Sequence, residues 1–199
     1  MSLAGPGSVR PASAWWVLIA GVAGLVAAST LTIEKIKILQ DPSYVPSCSI
    51  NPVLSCGSVM ATWQAEVFGF PNPLIGMVAF TVVIVTGVLA TANVLLPRWY
   101  WAGLAVGALL GVGFVHWLIF QSLYRIGALC PYCMVVWAVT IPLLVVLLSI
   151  ALRPPGEQAG ASGPARVLYQ WRWSLTAFWF TGLILLILVR FWDYWSTLI

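Results

Sequence analysis

Four cysteines, set as two pairs, carry the chemistry open to this sequence: Cys48 and Cys56 in CSINPVLSC, and Cys130 and Cys133 in CPYC. Two thiols separated by two residues can close into a disulfide and reopen, so the second pair can cycle between redox states. Its setting favours reactivity. Cys130 suits the residue before a helix, Pro131 the first helical position, and Cys133 the first turn, where free N–H groups point at the sulfur and favour thiolate over thiol. A static disulfide or two apolar packing cysteines would also account for this motif. Between Cys48 and Cys56, Asn51 and Pro52 can turn the chain back. Four thiols also suggest zinc, but structural zinc pairs are usually separated by roughly two to four residues, and the wider spacing of the first pair fits poorly.

The elements that must position these thiols are membrane spans. Of the 199 residues 61% are hydrophobic and 7% charged, whereas about a quarter of the residues of a soluble protein are charged. Windows of about 20 apolar residues occur near Trp15–Leu31, Leu74–Leu96, Trp101–Leu123, Leu129–Ala151 and Ser174–Trp192. An all-α integral membrane protein with five spans is expected. Arg10, the first apolar run and Ala27, Ala28 and Ser29 also resemble a secretory signal with its cleavage site; we retain it as a span. The nine basic residues form no cluster, which argues against a nucleic-acid surface. PNPL at 71–74, PR at 97–98 and RPPG at 153–156 mark helix ends and turns. After Cys56, Val59, Met60, Trp63, Val67 and Phe68 share one helical face. This predicts a short interfacial helix that covers the CPYC cysteines.

Counting spans places both cysteine pairs on one side of the membrane. Arg10, Arg98, Arg153, Arg166 and Arg172 would then face the opposite side from Lys35, Lys37, Arg125 and Arg190. The positive-inside rule puts the larger set in the cytoplasm. Disulfides persist outside the cytosol, so all four thiols are expected on the extracytoplasmic face of a multi-pass cell-membrane protein.

Taken in order, the motifs resemble the vitamin K epoxide reductases and their bacterial homologues. The match rests on Cys48 and Cys56 after the first span with Ser55 before the second cysteine, Phe68–Gly69, NPLIG at 72–76 opening the second span, and CPYC opening the fourth. The resemblance covers roughly residues 15–152. It implies a four-helix bundle that holds a quinone of menaquinone or ubiquinone type beneath the flat helix. It also implies a thiol oxidoreductase fed by an exported thioredoxin-like protein. On this resemblance Cys48 accepts attack by the partner, the freed Cys56 attacks Cys130 of the active-site disulfide, and the released Cys133 passes electrons to quinone. Asn72 matches a family asparagine that hydrogen-bonds a quinone carbonyl, and Ser55 a hydroxyl with a structural or proton-handling role.

Two departures stand out. Trp137 occupies the place of a tyrosine in the animal enzymes, and an indole N–H donates but supplies no phenolic proton; quinone reduction is expected rather than epoxide reduction. Many bacterial members also continue from a fifth span into a thioredoxin-like domain, whereas this sequence ends at Ile199, so a separate partner is expected. The resulting division is a catalytic core at 1–152, a cytoplasmic linker at 153–172, and a fifth transmembrane helix with a short tail at 173–199.

His116 lies within the third span, where an ionisable side chain is costly; a hydrogen-bonded interhelical histidine is the simpler reading, a proton relay the sharper one. Gln121 and Tyr124 read as interfacial, Glu66 as the wet side of the covering helix, and tryptophans such as Trp15, Trp99 and Trp192 as membrane-interface belts. Paired cysteines also suit a soft-metal binder or transporter. Such a protein would need further polar or thiol groups along its spans, and only His116 offers one.

Overall fold

The computed structural model describes residues 9–152 and 164–197. Among these, five helices are long and apolar enough to cross a membrane. They are α1 (Pro11–Gln40), α3 (Pro73–Thr91), α4 (Arg98–Gln121), α5 (Pro131–Ala151) and α6 (Pro164–Arg190). Between the first two spans lies the short helix α2 (Cys56–Met60), and α7 (Trp192–Trp195) follows α6. Most of the expected linker, 153–163, is outside the described residues.

Proline starts most of these helices. Pro11, Pro73 and Pro131 occupy the first turns of α1, α3 and α5, and Pro97 precedes α4. A proline there loses only an N–H that would have no helical partner. The second span is shorter than the apolar run that announced it: α3 stops at Thr91, and Asn93 turns the chain in a left-handed conformation (φ 59°). Asparagine tolerates that conformation better than the branched residues around it. The third span continues past Gln121 as a π-helical turn, Ser122–Ile126, closed by Gly127 at φ 72°. That turn carries the chain toward Cys130.

α1 is continuous through Ala27–Ser29 and packs chiefly on α3 and α5, while α4 and α6 pack on α5. Small residues permit the closest approach: a Cβ on Gly87 would lie 2.6 Å from the Leu18 Cα, and Gly24 receives the face of Phe80. In a bilayer such contacts replace hydrophobic burial as the force between helices. Away from the cysteines, Ala14, Val17, Val83, Trp101, Leu143 and Leu147 form one apolar cluster. Nearby, the Thr86 hydroxyl bonds the Val82 carbonyl and meets the Tyr100 hydroxyl at 2.6 Å.

Candidate active site

The two cysteine pairs meet at one end of the bundle. Cys48 and Cys56 form a disulfide, and Cys130 and Cys133 are free thiols. The Asn51 side chain accepts the N–H groups of Val53 (3.0 Å) and Leu54 (2.7 Å), turning the chain between Cys48 and Cys56. The returning segment then pairs with the approach to α5: Leu129 N–H donates to Val53 O (2.7 Å) and Ser55 N–H to Leu129 O (2.9 Å). This two-residue bridge brings residues far apart in sequence into register. The Cys56 sulfur lies 3.1 Å from that of Cys130. Cys56 and Cys130 are fully buried and Cys48 nearly so.

Local sequence explains each sulfur's orientation. Ser55 precedes α2 in extended conformation and its hydroxyl accepts the Ser58 N–H (3.2 Å), a standard N-cap. Cys56 is therefore the first residue of α2. Cys130 occupies the same position before α5 that Ser55 occupies before α2, and its sulfur accepts the Cys133 N–H (3.5 Å). The first-turn N–H contact therefore falls on the Cys130 sulfur rather than on that of Cys133, where the sequence pattern places it. The Cys130 thiol is held below the ordinary value by the Cys133 S–H and, against the opposing effect of burial, by the N–H groups of Cys133 and Tyr132.

Cys133, one turn into α5, faces a cavity of about 560 Å³ enclosed by α1, α3, α4, α5 and the segment after Cys56; it is the only one of the four cysteines in the wall. Trp137 lies one turn further along the same face, buried. Leu31, Phe80, Val83, Phe114 and Val115 supply apolar walls, and Lys35, Gln64, Asn72 and Ser122 are among the few polar groups. An apolar chamber with convergent polar groups and a thiol, sized like small-molecule sites of roughly 300–1,000 Å³, fits a quinone ring and the start of its tail. Asn72 contributes an amide already in use: its Nδ2 donates to Gln64 O (2.7 Å) and its Oδ1 accepts the Val67 N–H (3.2 Å). One N–H of Nδ2 remains for a ligand.

The covering segment departs from the single amphipathic helix read from the sequence. α2 ends at Met60, Thr62 is extended, and a 3-10 turn (Trp63–Glu66) follows. The Thr62 hydroxyl bonds the Val59 carbonyl (2.7 Å), competing with continuation of the helix. The residues expected on one face consequently divide. Met60 is buried, whereas Trp63 and Phe68 lie outside against Trp117 and Phe114 of α4, at ring separations of 6.0 and 5.7 Å.

Lys35 anchors this lid, and sequence reading passed over it. Its ammonium, buried at the end of α1, donates to Met60 O (2.8 Å) and pairs with Glu66 (2.7 Å). Glu66 is thereby a partner of Lys35 rather than a free polar surface. A lysine set beside an apolar run that must fold against protein was the available signal, because such a charge needs a partner. Glu34, in the same turn, accepts from Tyr44 (2.9 Å) and Ser47 (2.8 Å) and ties down the loop before Cys48. Lys35→Met should loosen the lid more than Glu66→Gln, since the part-exposed carboxylate adds little while a buried charged hydrogen bond contributes about 1.5–3 kcal/mol. Limited proteolysis between Met60 and Asn72 measures the difference.

A scan against family models matches residues 15–148 to the vitamin K epoxide reductase family. The chain belongs to that family. A comparison with curated proteins gives no match. Membership in the vitamin K epoxide reductase family implies a membrane thiol oxidoreductase that works with quinone. The matched residues run from α1 through α3 and α4 to most of α5. His116, by contrast, faces the fifth helix: its Nδ1 bonds Val112 O (2.8 Å) and its Nε2 accepts the Trp179 indole N–H (2.9 Å). Gln121 meets Gln64 at the lid (3.4 Å), and Tyr124 is exposed.

Proposed function

We propose that the protein is a quinone-dependent thiol oxidase that reoxidises a separate, exported thioredoxin-like protein. The observation that carries this reading is the line of sulfurs: Cys48 bonded to Cys56, Cys56 at 3.1 Å from Cys130, and Cys133 on the cavity wall. Starting with both disulfides closed, a partner thiolate attacks Cys48, the Cys48–Cys56 bond breaks, and Cys56 leaves as thiolate. Cys56 attacks Cys130, breaking the Cys130–Cys133 bond and releasing Cys133. The partner's second thiolate resolves its bond to Cys48 and departs as a disulfide. Cys48 then reforms its bond to Cys56, which leaves two electrons on the Cys130–Cys133 pair. That last distribution, one disulfide and two thiols, is the one in the structure.

A quinone supplies the two-electron sink and leaves as quinol. Asn72 would hold a carbonyl through its remaining N–H, Trp137 would line the ring site, and Lys35 and the lid would exclude water from Cys133. Ser55 would shape the loop that presents Cys56. The closed Cys48–Cys56 disulfide beside the Cys130 thiol supports the redox reading over soft-metal handling. In this reading residues 1–152 are the catalytic core, and the linker expected at 153–172 is shorter, because α6 already begins at Pro164 and continues into the expected fifth helix and tail at 173–199.

The cysteines are proposed to face the extracytoplasmic side. After reduction, all four should react with a membrane-impermeant thiol reagent in spheroplasts, the buried Cys56 and Cys130 slowest. Labelling of the Cys48/Cys56 loop only after lysis would reverse the orientation. Purified protein given a dithiol and a soluble quinone should reduce the quinone, and silence in that assay from folded protein would rule out the oxidase.

A further inference from the structure

The fifth helix lies beyond the residues matched to the family, and among the described residues none of it lines the cavity. Its burial is sparse, and apart from Thr176 it falls at the cysteine end. Only 6% of its most apolar 18-residue window is buried, and Phe178, Leu185 and Val189 are exposed. Ile187 and Phe191, at the cysteine end, are buried. They share one apolar cluster with Val53, Leu123, Leu129 and Trp137, with Leu54 and Cys133 at its edge. Arg190, between them, donates from Nε to Leu123 O (2.9 Å), and its guanidinium lies 5.6 Å from the Phe191 ring. Leu123 itself is fully buried in the turn that leads to Leu129.

We infer that the cysteine end of α6 is a positioning element of the thiol relay, acting as the wall that holds the Val53–Leu54 segment against Leu129 and so keeps Cys56 opposite Cys130. The inference rests on the relay proposed above. Val53 and Leu129 belong both to the bridge between the two cysteine segments and to the cluster closed by Ile187 and Phe191. A hydrogen-bonded bridge of two residues is too short to hold a register alone. Thiol exchange needs attacking, central and leaving sulfurs in line, so a small displacement of the bridge separates the reacting atoms. Arg190 and Phe191 touch none of the sulfurs in this scheme and are positioning residues.

The test uses the full chain carrying Cys133→Ala, in which exchange is internal and needs no external oxidant. The Cys130 thiolate attacks the Cys56 sulfur, the Cys48–Cys56 bond breaks, and Cys48 leaves as thiolate. Adding Phe191→Ala or Arg190→Met should slow appearance of the Cys56–Cys130 disulfide by about 10- to 100-fold, the loss expected for misplacement on the order of 1 Å. Arg190→Lys, which retains an N–H donor, should recover most of the rate. The same substitutions in the otherwise native chain should leave quinone KM unchanged. Folded Phe191→Ala and Arg190→Met variants that exchange at the parent rate would overturn the inference. So would a parallel fall in exchange rate, quinone affinity and Tm, or failure of Arg190→Lys to recover exchange while Arg190→Met loses it. Because the exchange is read without quinone, a native chain that fails to reduce quinone defeats the oxidase proposal while leaving this dependence measurable.

Discussion

In Cys133→Ala, a Cys56–Cys130 disulfide should accumulate and quinone-dependent turnover should fall to background. Cys133 is the only relay cysteine on the cavity wall, and without it the Cys56–Cys130 bond can be undone only by return attack of Cys48. Non-reducing peptide mapping should recover the cross-link between the 48–56 loop and the start of α5. Its absence from a folded variant would remove Cys56 as the shuttle. The choice of substitution adds a pH signature. The Cys133 S–H is the leading cause that holds the Cys130 thiol below its ordinary value. Alanine deletes that donor, so Cys130 should ionise at higher pH; serine keeps a donor. Exchange proceeds through thiolate, so its rate should rise with pH and level off above the Cys130 pKa. The rise should come at higher pH in Cys133→Ala than in Cys133→Ser. Coincident profiles would show that the neighbouring donor has no part in activating Cys130.

The second large effect is expected at Asn72. Its side chain stands on the cavity wall, clamped between Gln64 and Val67, with one amide N–H to spare. If that N–H meets the quinone carbonyl, its bond strengthens as negative charge develops there. Hydrogen bonds to charged groups contribute about 1.5–3 kcal/mol, so Asn72→Ala should lower quinone-dependent efficiency roughly 10- to 100-fold. Exchange between a dithiol and Cys48–Cys56 should change little. The alternative is built into the same geometry. If the clamp on the lid is the whole role of Asn72, both half-reactions and Tm should fall together. Measured separately, the half-reactions decide between a ligand contact and a lid tie.

By itself, the sequence determined the class of protein and the chemistry available to it. Five apolar runs, with prolines at the helix starts, specify helices across a membrane because unpaired backbone groups cannot remain in lipid. The CPYC spacing predicted Cys130 before the helix and Pro131 at its start, as the structure has them. Asn51 announced its turn for an equally local reason, since its side chain reaches only N–H groups two and three residues away. Relations between distant residues were decided by tertiary structure. The closure of Cys48 onto Cys56 while Cys56 approaches Cys130 depends on the bridge at Val53 and Leu129, which no local periodicity encodes. The lid broke at Thr62, where a hydroxyl competes for the backbone and the α4 aromatics offer Trp63 and Phe68 another surface. Lys35 found Met60 and Glu66, Asn72 found Gln64 and Val67, and His116 found Trp179. The physical reason is common to all three: a polar group in an apolar setting announces that it needs a partner, but only the packed fold supplies one.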